Sequence, residues 1–264
     1  MKVITFTNPK GGIGKTTSAL SLAVILNRMG YKTLLVDADV SCNCSDTYKA
    51  LYNAESGFRA EEAGVGTIYD LMVSDDQVPI ESVIQHTEYG DIIGGDKRLN
   101  ELESKPKDLA LYIRLRYALS GLNGYDFVLI DTHPNIDAIL HNVLMATDTV
   151  IIPMSADRYS IQALAGLTNA IQEVQCINSS LKIGGILFVS YKSNVNVYLG
   201  LYESMYSFAK QIGTKVYDTK IRYTDSKCKE CQVAMKPLPL YAPKANASLD
   251  YKAFAEELLR EEGF

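Results

Sequence analysis

The sequence predicts an α/β fold, a doubly wound and mostly parallel sheet with helices on both faces, and three observations predict it. Short apolar runs alternate with amphipathic helical stretches along the whole chain, which is the pattern of parallel strands joined by helical crossovers. A glycine-rich turn joins the first apolar run to the first helical stretch. Two further runs end in aspartate, at Asp37 and Asp131, and open α/β sheets collect their chemistry at the carboxyl ends of the strands. With 264 residues, 47% hydrophobic and 22% charged, the chain can bury a full core and reads as a single domain over residues 1–264.

The first strand is predicted over Val3 to Phe6 and the first helix over Thr17 to Met29. Between them runs Asn8-Pro9-Lys10-Gly11-Gly12-Ile13-Gly14-Lys15-Thr16-Thr17. Consecutive glycines let backbone N–H groups turn inward as an anion nest, and the helix that follows adds its positive N-terminal dipole. The expected nucleotide-binding residues are Lys10 through Thr17, with Lys15 reaching the terminal phosphates and the Thr16 hydroxyl taking Mg²⁺. These residues make the fold a P-loop nucleoside triphosphatase. The strict loop pattern is broken in two ways: Pro9 stands where it asks for glycine, and Lys10 is an additional lysine.

A second strand, Thr33 to Asp37, leads into Asp37-Ala38-Asp39-Val40-Ser41-Cys42-Asn43-Cys44. Two carboxylates spaced by one residue beside a P-loop suit metal hydration and positioning of an attacking water. The polar stretch Ser41 to Gly66 reads as a surface region over the nucleotide. A third apolar run, Phe127 to Asp131, ends in the carboxylate of a Walker B arrangement, which holds Mg²⁺ through water. Strands over Thr149 to Pro153 and Ile183 to Ser190, with a helix over Ile161 to Ile177, complete the alternation. Thr16, Asp37 and Asp131 are therefore the expected metal-side residues, and Lys15 and Asp39 the expected catalytic ones.

The net charge of −5 gives no bulk attraction to nucleic acid, so a DNA contact requires a local basic patch. No apolar h-region opens the chain and no uncharged run is long enough to span a bilayer, so a cytoplasmic protein is expected. Five cysteines without a secretory signal predict reduced thiols rather than a disulfide framework. Cys42-Asn43-Cys44 and Cys228-Lys229-Glu230-Cys231 have metal-ligand spacing, but neither has a second pair or a histidine cluster in sequence to complete four ligands.

The loop Lys10-Gly11-Gly12-Ile13-Gly14-Lys15-Thr16-Thr17 resembles the deviant Walker A loop of the ParA/MinD superfamily of P-loop ATPases. The resemblance extends over nearly the whole chain. Asp37, Asp39 and Asn43 match the family's Asp-x-Asp-Pro-Gln-Gly-Asn, with Val40, Ser41 and Cys42 departing from it. Asp131-Thr132-His133-Pro134 matches Asp-x-Pro-Pro with His133 as the unusual member, read as a packed variant of a switch loop. Asp91 to Asp96 resembles the family's central strand and its turn, Ala156 to Leu164 a helix start. The C-terminal residues Glu230, Lys236-Pro237-Leu238, Tyr241-Ala242-Pro243 and Asp250-Tyr251 fall in the family's order. What this implies is a short-form partition ATPase without an N-terminal helix-turn-helix, dimerising around two ATP with Mg²⁺. Lys10 then acts across the dimer on the partner's ATP and Asp39 orients water. Non-specific DNA binding, a nucleoid-associated location and a ParB-type centromere-binding partner are implied with it. The basic residues that come closest to the family's DNA contacts are Lys192, Arg222, Lys227 and Lys229. The acidic C-terminal helix argues against a membrane-surface relative. Two alternatives stand beside this reading: an ATPase that positions a protein cargo, and an iron–sulfur scaffold using Cys228 and Cys231.

Overall fold

The computed structural model describes residues 1–50, 65–73, 78–105, 109–155, 158–192 and 199–264. Its sheet contains β1 (Lys2–Phe6), β2 (Thr33–Ala38), β3 (Ile84–Thr87), β4 (Gly90–Ile93), β5 (Phe127–Thr132), β6 (Thr149–Met154) and β7 (Lys182–Phe188). The strand order is β3-β4-β2-β5-β1-β6-β7. Every pairing is parallel except the edge hairpin of β3 and β4. The inner strands are buried on both faces, which explains why they read as unbroken apolar runs rather than as alternating ones.

Alternate residues of one strand serve two different cores. Ile4, Phe6, Leu35, Phe127 and Leu129 pack with α1 (Lys15–Arg28) and the C-terminal helix, Asn246–Glu262. Val3, Leu34, Val36, Val128 and Ile130 face the opposite layer, which contains Ile68, Leu71, Leu99, Leu115 and Val143. Val150, Ile152, Ile186 and Phe188 extend that second layer toward the β7 edge with Leu167, Ile171 and Met205. Both faces of the sheet are thus covered by helix, as the sequence predicts.

Some boundaries differ from the sequence expectation. The first helix begins at Lys15, two residues early, because the turn made by Gly14 already aims the chain along the helix axis. The last strand stops at Phe188, and Ser190 takes a left-handed φ of 55° that ends the extended run. The segment Asp91 to Asp96 does hold a strand, but β4 is second from the edge rather than central. Its partner β3 is only four residues long and carries no apolar run. Within Ser41 to Gly66, the short helix α2 (Asn43–Tyr48) buries Cys44, Ser45 and Tyr48, so this part is core rather than surface. Residues 51–64 lie outside the described residues, as do Ala156 and Asp157 of the predicted helix start; that helix itself spans Arg158–Gln175.

Several polar ties fasten the C-terminal helix to the rest. The hydroxyls of Ser18 and Tyr251 share a buried 2.9 Å hydrogen bond. Glu257 accepts the backbone N–H groups of Asp218 and Thr219 at 2.8 and 2.9 Å. Glu262 pairs with Lys2 at 3.0 Å and Lys182 at 3.1 Å. These ties hold one wall of the cavity described next.

Candidate active site

Strand order does most of the assembly. β5 lies between β2 and β1, so Asp131 is the register neighbour of Asp37 on one side and of Phe6 on the other. The loop after Phe6 therefore rises beside two carboxylates from adjacent strand ends. Asn8, almost fully buried, pins that loop: its amide donates to the Pro153 carbonyl at 2.9 Å, and its Oδ1 accepts the Lys10 N–H at 2.9 Å.

Gly12 and Gly14 have φ of +73° and +83°, and a Cβ built on either meets nothing within 4 Å. Glycine is required here for conformation, and the space beside it stays open for a ligand. Gly14 precedes α1, whose first turn carries no acidic residue and whose N-terminus has no side-chain cap. Uncapped N–H groups and a positive dipole end then face the loop's concavity, which is a ready anion site. Ile13 is buried beneath the loop, whereas Gly11 and Gly12 are exposed.

Lys15 is buried, and its Nζ donates to the carbonyls of Asn8 and Lys10 at 3.1 Å each. Burial lowers its pKa, and the negative charges of Asp131 and Asp39 oppose that shift. The ammonium thus waits inside the loop for anionic partners stronger than carbonyls.

Asp37 and Asp131 are both completely buried. The Ser45 N–H and hydroxyl donate to Asp37 Oδ2 at 2.8 and 2.7 Å, and the Asp39 N–H reaches Oδ1 at 3.3 Å. Burial outweighs these bonds and pushes Asp37 up to about 6. Asp131 is pushed up to about 7, first by burial and then by the charge of Asp37, while the Thr16 hydroxyl and the Cys44 thiol pull it back. One of its oxygens, Oδ1, is buried with no hydrogen-bond partner. Two carboxylates crowded out of water and one unfilled acceptor fit a divalent cation. With Thr16 beside Asp131, the expected metal-side trio is brought together. Asp39, also buried, is held by the Ser41 N–H on its Oδ1 at 2.7 Å and lines the cavity that opens over the P-loop.

His133 is buried, accepts the Asn135 N–H on Nδ1 at 3.0 Å and sets Nε2 3.1 Å from Asp137 Oδ2. It is built into the turn after β5, and Asp137 in turn caps the following helix through the Leu140 N–H at 3.1 Å.

A cavity of about 750 Å³ extends from the P-loop to a wall that the sequence reading left unassigned. That wall includes Tyr223, Gln232, Met235, Lys236, Pro237 and Tyr251. Met235, at a left-handed φ of 44°, turns the chain so that Lys236 and Pro237 face the opening. The chain order of Lys236-Pro237-Leu238 was the available signal; its place in the site depends on packing of the last helix against α1.

Two of the four basic candidates are brought together. Backbone bonds between Tyr191 and the Ile221 to Tyr223 segment bring Lys192 beside Arg222. The Lys192 Nζ sits 4.1 Å from the centre of the Tyr223 ring. The Arg222 guanidinium makes a bidentate pair with Asp250 at 2.7 and 2.9 Å, and Lys227 pairs with Glu230 at 2.7 Å. Lys229 is exposed on the same helix as Lys227, Asp225–Val233. Cys228 and Cys231 line the cavity, but among the described residues no third His, Cys, Asp or Glu joins them in a ligand-sized group.

A protein-family model described as an AAA domain matches residues 1–183. The chain is 32% identical, over 99% of its length, to the chromosome partitioning protein ParA of Myxococcus xanthus, covering 89% of that protein. The chain belongs to the ParA family of ATPases. Its fold is that of a putative plasmid partition protein from Borrelia burgdorferi bound to AMPPNP, with a TM-score of 0.78 at 23% identity, covering 98% of this chain and 99% of that one. It is also that of cobyrinic acid a,c-diamide synthase from Mycobacterium smegmatis with bound ADP and magnesium, with a TM-score of 0.80 at 22% identity, covering 100% and 96%. Among the described residues no helix is long and apolar enough to cross a membrane.

Proposed function

We propose that this chain is an ATP-dependent switch that dimerises on ATP and Mg²⁺, binds DNA non-specifically, and hydrolyses ATP to drive plasmid, chromosome or mobile-element partition with a ParB-type partner. The observation that carries it is the convergence of an uncapped helix N-terminus, buried Lys15 and Asp39 on one cavity, with the buried carboxylates of Asp37 and Asp131 at the two adjacent strand ends. The partitioning role named for the Myxococcus relative, and the nucleotides held by the two structural neighbours, support this reading.

In this reading the loop N–H groups from Gly11 to Thr16 cradle the phosphates, and Lys15 exchanges its carbonyl partners for phosphate oxygens. Thr16, Asp37 and Asp131 hold the metal side; bound Mg²⁺ supplies charge neutralisation of the triphosphate. Asp39 orients the water that attacks the terminal phosphorus. Lys10 acts on the partner's nucleotide, so that a competent site exists only in the dimer. Two weak basic corners on one rigid dimer then gain effective concentration on a duplex, which makes DNA binding depend on ATP.

The test is Asp39→Ala, assayed for both nucleotide binding and steady-state turnover. ATP affinity should be retained while hydrolysis falls by about 10²-fold or more, because a mispositioned nucleophile costs that much. Wild-type turnover in the variant would refute the assignment. A variant-free control separates the cargo: a protein that dimerises on ATP yet binds no duplex in any nucleotide state carries a protein cargo instead.

A further inference from the structure

One motif is left over by this account, the Cys42-Asn43-Cys44 pair. Its two thiols have different fates. The Cys42 thiol turns back on the Val40 carbonyl at 3.6 Å. The left-handed φ of 56° at Cys42 starts α2 and sends Cys44 inward, where its thiol donates to Asp131 Oδ2 at 3.4 Å.

We propose that Asp37, Cys44 and Asp131 form a site for a borderline-soft divalent cation of the zinc or cobalt class, held by one thiolate and two carboxylates. One oxygen from each carboxylate and the Cys44 sulfur all lie within 4.8 Å of one another, and all three residues are completely buried. Independently of that grouping, Asp131 Oδ1 is buried without a hydrogen-bond partner, an acceptor left for a cation to fill. Ser45 already fixes Asp37 through two hydrogen bonds, the kind of outer support that orients a ligand.

The donor set decides the ion. Mg²⁺ takes oxygen in a near-octahedral shell and keeps several waters, whereas thiolate favours zinc and its softer neighbours. On binding, the sulfur–hydrogen bond of Cys44 breaks, a sulfur–metal bond forms, and the proton leaves to solvent. Lys15, which feels the Asp131 and Asp39 charges, is the neighbouring cation that the ion must tolerate. Occupancy would compete with Mg²⁺ beside Thr16; that consequence rests on the nucleotide reading above, and the site itself does not.

The experiment titrates the nucleotide-free full chain with Co²⁺ under reducing conditions. A thiolate-to-cobalt charge-transfer band should saturate at one equivalent, persist in the Cys228→Ala/Cys231→Ala variant and vanish in Cys44→Ser. Losing an outer-shell partner already costs about 10–100-fold in metal affinity, so Cys44→Ala should weaken Co²⁺ binding by no less. No band on the wild type, or a band that survives in Cys44→Ser, overturns the proposal. Should the Cys44 variants fail to fold, X-ray absorption at the zinc edge of the wild type decides: one sulfur with the remainder oxygen supports the site, and an all-oxygen or two-sulfur shell overturns it. Because nucleotide is absent, failure here leaves the ATP reading standing, and failure of the ATP reading leaves this site standing.

Discussion

Replacing Asp131 by Asn should stabilise the nucleotide-free protein, even though it damages the site. Burial and the neighbouring Asp37 raise this carboxyl from 3.8 to about 7. An acid whose folded pKa is raised holds its proton in the folded state after the unfolded chain has released it. The Asp131 contribution to stability is therefore least unfavourable below about pH 4, worsens as pH rises through the window up to about 7, and carries its full cost above it. That rise in pKa corresponds to at most about 4 kcal/mol. For a chain of this size each kcal/mol shifts Tm by about 2–4 °C, so Asp131→Asn should raise Tm at pH 8 by several degrees. At pH 5 the gain should drop below half of that. The Asn oxygen can still accept the Cys44 thiol, while its amide N–H group, standing where Oδ1 has no partner, offsets part of the gain. Scanning calorimetry at both pH values, without nucleotide or Mg²⁺, measures it. A variant less stable than wild type at pH 8, or a gain equal at the two pH values, would refute the reasoning. Mg²⁺-dependent ATP affinity of the same variant should fall, the opposite sign expected where stability has been exchanged for function.

Lys15→Ala should weaken nucleotide binding by the monomer, read by fluorescent-nucleotide titration; unchanged affinity would remove Lys15 from the phosphate site. Phe254, fully buried between the C-terminal helix and the sheet, should cost about 3–5 kcal/mol when replaced by Ala, seen as a lower urea midpoint. Lys192→Glu combined with Lys227→Glu should abolish ATP-dependent binding to arbitrary duplex, and each single change should flatten the salt dependence by about one unit of slope. Unaltered binding in the double variant would move the DNA face elsewhere.

The parts of the fold that were legible in the sequence are those fixed by local pattern. β1, β2, β5 and β6 announce themselves because burial on both faces demands continuous apolar residues, and Gly12 and Gly14 because their backbone angles exclude other side chains. The β3–β4 hairpin was less visible: four-residue strands around Gly90 leave no periodicity to count. In the site, the loop and the aspartates were legible because strand ends and chemistry coincide. Pairings between distant residues were not. Arg222 meets Asp250, 28 positions away, and Cys44 meets Asp131, 87 positions away; neither carries a sequence signal, since each contact exists only once helices and strands have docked. The far wall around Met235 to Pro237 was legible only as the chain order of Lys236-Pro237-Leu238, since its place in the site depends on the same docking.

The central claim is that ATP joins two copies of this chain through a lysine acting across the interface. Light scattering of wild type and Lys10→Ala, each with ATP and Mg²⁺, with ADP, and without nucleotide, tests it most directly. The account predicts a dimer only for wild type with ATP, and monomers for Lys10→Ala in every state despite retained nucleotide binding. Equal ATP-dependent dimerisation of the two proteins would contradict it.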